Sequence, residues 1–206
     1  MTRLHQAAAM MALLAAGSAG MPIAASRASR VTPPPEPGDG KPRFAGGVAP
    51  PKGGIVTDLA VLTQPSLPYE GPFGDDLTAL TDRMFEAMYA SRQGVGLAAV
   101  QIGVHLRVCV VDIYALSSDQ GRRKPRVFVN PKIERQSIRK VPMREGCLSA
   151  PAKFGDVERA ISIYATWQDE HGEHWADDLG GFLAHILQHE VDHMDGIMCT
   201  SKMVRS

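Results

Sequence analysis

The apolar positions of this chain form two helical stretches with strand-like runs between them. Leu77, Leu80, Met84, Phe85 and Met88 recur at helical spacing, which puts them on one face of an α-helix with Asp75 or Asp76 as its N-cap. On that face the methionines fill gaps in a core rather than line a cofactor box. Residues 182–195 form the second helix. Residues 104–113, with Val108-Cys109-Val110-Val111 inside them, read as a mostly buried strand, and Cys109 as a small core hydrophobe. Residues 126–129 form a strand ended by Asn130-Pro131, and residues 133–141 a third. Residues 160–166 alternate as a strand, Asp169-Glu170-His171-Gly172 turns, and residues 174–177 lead back. His171 and His174 are then solvated turn residues. Residues 55–62 hold a strand or extended piece. Residues 64–74, with Pro65, Pro68 and Pro72, are loop, and residues 117–124 a polar turn.

A length of 206 residues suits one domain with a real core and some tail. The 22 basic and 22 acidic side chains cancel, which argues against a general nucleic-acid binder. Cys109, Cys147 and Cys199 are odd in number and widely spaced. That argues against a disulfide framework and for a reducing compartment.

Residues 1–54 differ from the rest. Residues 7–19 are an alanine-rich apolar run, too short to span a membrane and of the size of a secretory apolar region. Ser26-Arg27-Ala28 offers a small-x-small cleavage site. No acidic residue precedes Glu36, while Arg3, Arg27 and Arg30 are basic, a bias that equally suits an organelle presequence. A start at Met10, Met11 or Met21 is the third reading. Residues 32–54 are dense in proline and glycine and read as a linker or disordered tail.

Three segments carry candidate chemistry. In Gln188-His189-Glu190-Val191-Asp192-His193, two histidines four apart share a helix side and can reach one metal ion, with Glu190 placed to take a proton from water on it. Catalytic metal sites keep three protein ligands and one open position, so a third ligand must come from elsewhere. Gly94-Val95-Gly96-Leu97-Ala98-Ala99-Val100-Gln101 lacks the third glycine of a dinucleotide site and reads as a tight turn allowing close backbone approach. In Glu145-Gly146-Cys147-Leu148-Ser149, the cysteine follows a glycine between an acid and a hydroxyl, outside any apolar run.

In this order and at these separations, the three segments resemble the three motifs of the peptide deformylase family. The resemblance runs from about Ile55 to Met203, so residues 55–206 are expected to be one catalytic domain and residues 1–54 a presequence or signal-like segment with its linker. It implies an α+β fold with antiparallel strands packed around a central helix carrying the two histidines. It implies Cys147, His189 and His193 as metal ligands, Glu190 as general base, and Gln101 with the Leu148 backbone N–H as oxyanion donors. Val95, Met143, Phe182, His185 and Ile186 match the methionine pocket, and Gly96 the loop that approaches substrate. His185 stands at a position normally apolar and is expected on the pocket rim. Glu145 and Asp192 are candidates to orient the ligands. The implied reaction removes formate from N-formylmethionyl nascent polypeptides, with iron(II) the usual ion and zinc compatible with the ligands. The implied partners are those nascent chains and, transiently, the ribosome, with no stable nucleic-acid binding.

Met194 stands for the usual leucine, Met198-Cys199 for an apolar-aromatic pair, Pro68 for an arginine and Ala150 for a larger β-branched residue. None touches the expected ligands, base or donors. A zinc protease of the His-Glu-x-x-His type would want a downstream histidine or glutamate, and none follows Gly196. A binder without turnover would have no need of Glu190. Formylated nascent chains place the enzyme in a cytoplasm or organelle, with export left open by the N-terminal segment.

Overall fold

The computed structural model describes residues 29–30 and 54–204. The apolar run, the cleavage-site motif and nearly all of the proline- and glycine-rich stretch lie outside the described residues. The strands are β1 (Ser29–Arg30), β2 (Gly96–Ala98), β3 (Val108–Val111), β4 (Arg126–Gln136), β5 (Lys140–Cys147), β6 (Ala150–Ala160), β7 (Ser162–Gln168) and β8 (His174–Gly180). The helices are α1 (Leu59–Leu62), α2 (Asp75–Ala90) and α3 (Gly181–Met194). Six strands form one antiparallel sheet in the order β1-β8-β7-β4-β3-β2, and β5 and β6 form a separate hairpin.

The continuous apolar run in β3 has a simple cause: both faces of the sheet are covered there. Cys109 and Val111 join Phe128, Ile163 and Trp167 in a cluster with Ile186, Leu187, Val191 and Met194 of α3. Val108 and Val110 face the other way, onto Leu77, Leu80, Met84 and Met88 of α2. All four β3 side chains are consequently buried.

Five local expectations need correction. The N-cap of α2 is Gly74, and Asp75 and Asp76 lie inside the first turn, where their charge complements the helix N-terminus. Residues 59–62 are helical, because Asp58 Oδ1 accepts from the Ala60 N–H at 2.9 Å and caps a short turn. Gly96 opens β2 rather than making a turn. Asn130-Pro131 does not end a strand: β4 passes through it with a register shift and runs on to Gln136, so residues 133–141 are not a strand of their own but the end of β4, a turn and the start of β5. Asn130 adopts φ 50°, and its amide clamps Tyr69 by accepting from its N–H at 2.7 Å and donating to its C=O at 2.9 Å.

The end of α3 is fixed by a close approach. At Gly196, φ is 74°, and a β-carbon would stand 2.5 Å from the Thr63 carbonyl oxygen. The Ser66 N–H donates to the Met194 C=O at 2.8 Å. The loop after α1 is thereby held across the end of the helix that carries the histidines.

Candidate metal centre

Two elements converge on the site. α3 presents His189 and His193 one turn apart, and the β5–β6 hairpin presents Cys147 at its bend. The hairpin register slips between Gly146 and Cys147, so that Cys147 faces Ala150 while Gly146 faces Phe154. The extra residues bulge out through Ala152, at φ 64°, and the bend carries Leu148 toward Gly94 and Ser149 toward Gln101. Cys147 Sγ is 3.2 Å from His193 Nε2, and His193 Nε2 is 3.2 Å from His189 Nε2.

The tautomer of His189 follows from its other nitrogen. Nδ1 lies 2.7 Å from Glu145 Oε2. A carboxylate accepts there, so Nδ1 carries the proton and Nε2 offers its lone pair toward the sulfur and the second ring. The spacing suits an ion: a tetrahedral zinc with ordinary bond lengths separates two nitrogens by about 3.3 Å and nitrogen from sulfur by about 3.6 Å. Glu190 Oε2 and His193 Nδ1 are buried with no hydrogen-bond partner among the described residues. The donor set of one thiolate and two imidazoles fits iron or zinc better than magnesium or calcium.

A cavity of about 390 Å³ opens onto these groups. Val95, Gly96, Gln101, Met143, Cys147, Leu148, Phe182, His185, Ile186, His189 and Glu190 all line it. His193 is the exception among the expected site residues: it sits behind the cavity, fully buried. Gln101 is fixed by its Oε1 accepting from the Ala98 N–H at 2.9 Å. Its Nε2 donates to Ser149 Oγ at 3.2 Å and lies 3.6 Å from Cys147 Sγ.

Charge in the site is set by burial and by one carboxylate. Burial pushes the Glu190 carboxyl up to about 7 and the His193 imidazolium well down. Burial also disfavours charge on His189, but the Glu145 bond together with the negative charges of Glu190 and Glu145 outweighs it and raises that ring. Glu145 itself is held far below the usual carboxylate range: burial opposes this, and contacts with His185, His189 and Arg159 prevail. A bound cation reverses the burial effect on its neighbours by favouring their anionic forms.

Three features behind the ligands were not visible in the sequence or were misjudged. Arg159, 4% exposed, forks onto Glu145 with Nε and Nη2 and onto Asp192 Oδ2 with Nη1 at 2.7 Å. The available signal was an arginine in phase with Val157 on the inward side of a strand, where a charge demands a partner. Asp192 does not touch a histidine: its other oxygen takes Lys202 Nζ at 2.6 Å, so it steadies Arg159. His185 is not on the rim. It is 5% exposed, with Nε2 2.6 Å from Glu145 Oε1, close enough for an ion pair but without hydrogen-bond alignment. Standing four residues before His189, it reaches the same carboxylate.

Residues 55–206 match the family model for polypeptide deformylase. The chain belongs to the peptide deformylase family. A peptide deformylase of Rhizorhabdus wittichii is 44% identical over 133 residues, covering 64% of this chain and 75% of the relative. That of Novosphingobium aromaticivorans is 38% identical over 160 residues, covering 70% and 84%. Among solved structures, a probable peptide deformylase from Synechococcus phage S-SSM7 superposes with a TM-score of 0.67 at 39% identity, covering 72% of this chain and 98% of that one. Deformylases are metal-dependent hydrolases that remove the N-terminal formyl group from nascent polypeptides. The α+β architecture with antiparallel sheets and few helices is shared with these neighbours.

Proposed function

We propose that this deformylase works through Cys147, His189 and His193 as ligands of iron(II), with Glu190 as the proton-transfer group. The convergence of one sulfur and two Nε2 atoms beside the unpartnered Glu190 carboxylate carries the reading. A divalent ion held there supplies Lewis acidity and makes water acidic enough to lose a proton near neutral pH. Glu190, in the cavity and without a competing partner, accepts that proton and returns it to the departing amine. The Gln101 amide, pinned by the Ala98 N–H, and the backbone N–H of Leu148 stabilise the oxyanion as the formyl carbon becomes tetrahedral. Glu145 holds His189 in the tautomer that ligation needs. Val95, Met143, Phe182 and Ile186 form the apolar wall for the methionine side chain, and the substrate backbone runs past Gly96.

The reading places α3 as the element around which the antiparallel strands are organised, and residues 55–206 as the catalytic domain. Its substrates locate it where translation begins with formylmethionine, a cytoplasm or an organelle, with transient access to the ribosome. No helix among the described residues is long and apolar enough to cross a membrane.

The test is formate release from formyl-Met-Ala-Ser by anaerobically purified protein, with metal analysis of the same sample. Wild type is expected to turn over with iron bound, and Glu190→Ala to keep its metal and lose about 100-fold or more in rate. Metal-loaded wild type that releases no formate defeats the proposal. Turnover with zinc alone in the native protein would replace the iron assignment.

A further inference from the structure

Two free thiols lie beside His189, and the reaction uses only one of them. Cys199 opens the turn Cys199–Ser201 after α3 and is 1% exposed. Cys199 Sγ lies within 4.8 Å of a Glu145 carboxylate oxygen and a His189 ring nitrogen, and Cys147 Sγ within the same distance of His189 and His193. Both sulfurs therefore flank one imidazole. The turn packs on β5 and β6 but lies outside the two sheets, so closing the gap between the sulfurs asks a turn to move and not a strand.

Access to the two differs. Cys147 lines the open cavity and Cys199 does not. The third thiol, Cys109, is fully buried in β3. Of the three thiols, an oxidant entering the cavity meets Cys147, and the thiol that shares His189 with it is Cys199.

We propose that Cys147 and Cys199 form a redox pair, in which a hydroperoxide oxidises metal-free Cys147 and Cys199 closes on it as an intramolecular disulfide. The Cys147 sulfur attacks one peroxide oxygen and the O–O bond breaks; the thiol proton leaves with the other oxygen as water, and Cys147 becomes a sulfenic acid. The Cys199 sulfur then displaces the hydroxyl: the S–S bond forms, the S–O bond breaks, and the Cys199 proton departs with the hydroxyl as a second water. Two thiols and one hydrogen peroxide give one disulfide and two waters. The disulfide is reducible by thiols, whereas a lone sulfenic acid proceeds to sulfinic and sulfonic acids that thiols do not restore. Cys199 thus protects a residue the enzyme needs while removing it from the ion. The loss of metal uptake rests on reading Cys147 as a ligand; the cross-link itself does not.

The experiment treats full-length protein, metal-loaded and chelator-stripped, with excess hydrogen peroxide, then alkylates and maps peptides without reduction. Stripped wild type is expected to yield a peptide pair joining Cys147 to Cys199, lighter by two hydrogens, with Cys109 alone of the three cysteines alkylated. Metal loading is expected to slow the cross-link. Dithiothreitol should return all thiols and metal uptake together. Cys199→Ser and Cys199→Ala should give sulfinic or sulfonic Cys147 that dithiothreitol does not rescue. Overoxidised Cys147 without a cross-link in wild type, or a bridge to Cys109, overturns the proposal. A Cys147–Cys199 bridge that leaves metal uptake unchanged supports the pair and overturns the ligand reading instead.

Discussion

At Gly96 a β-carbon would stand 2.5 Å from Glu190 Oε1 and 2.8 Å from Ile186 Cγ2. The missing side chain lets the β2 backbone close over Glu190, the proposed base, and Ile186 together. Gly96→Ala should displace Glu190 and lower kcat by about 100-fold, the cost of an ångström-scale misplacement, while bound metal is unchanged; formate release and metal analysis on one preparation check this, and a near-normal kcat would mean that the carboxylate tolerates the crowding. Glu145→Ala should act differently. Losing the His189 partner should weaken metal affinity by about 10–100-fold, and leaving the buried Nε and Nη2 of Arg159 unpaired, with Asp192 still on Nη1, should cost about 1–3 kcal/mol of stability. Chelator competition and urea unfolding read the two effects separately, and a variant that loses stability but keeps its metal affinity would relieve Glu145 of any orienting role. The residues legible in the sequence were those whose spacing encodes geometry, His189, Glu190 and His193. His185 and Asp192 were misjudged because helical phase says which way a side chain points but not what stands opposite. What stands opposite is Glu145 from β5 and Arg159 from β6.

Among the elements, α2, α3, β3, β7 and β8 were readable because one or both faces pack on apolar neighbours and leave a period. The β6 strand was missed: its first half is largely exposed, so it carries no alternation, and its pairing with β5 is set by the hairpin bend. The Asn130-Pro131 pair was misjudged for a related reason. A turn-like dipeptide usually stops a strand, but here Asn130 reaches out of the sheet to tie down Tyr69 and donates to Gln168 Oε1 at 3.1 Å. Asn130→Ala loses these bonds and strains a residue at positive φ, so unfolding free energy should fall by about 2 kcal/mol or more. Asn130→Gly keeps the backbone at ease and should lie between wild type and alanine in urea midpoint. A glycine variant less stable than the alanine one would remove backbone strain from the account.

For the molecule as a whole, the proposed ligand set has one ion tie the β5–β6 hairpin to α3, and an ion that binds only the folded state raises stability in proportion to the logarithm of its free concentration. Chelation should therefore lower Tm, and metal titration should restore it progressively; a Tm indifferent to chelator would mean that the hairpin docks without help. Ser29 and Arg30 stand at the other edge of the sheet. They pair with Ala176 and Trp175 on β8, and β1 forms the edge of the sheet opposite β2, the strand that carries Gly96. Arg30 also reaches Glu173, with side chains 68% and 34% exposed, and an exposed pair of that kind contributes about 0–1 kcal/mol. Neither contact touches the cavity. A chain beginning at Gly54 should accordingly keep the kcat/KM of the full-length protein and lose only a few degrees of Tm, as measured by formate release and thermal unfolding. Should kcat/KM fall while Tm holds, residues before 54 must reach the cavity, and the assignment of catalysis to residues 55–206 alone would have to be abandoned.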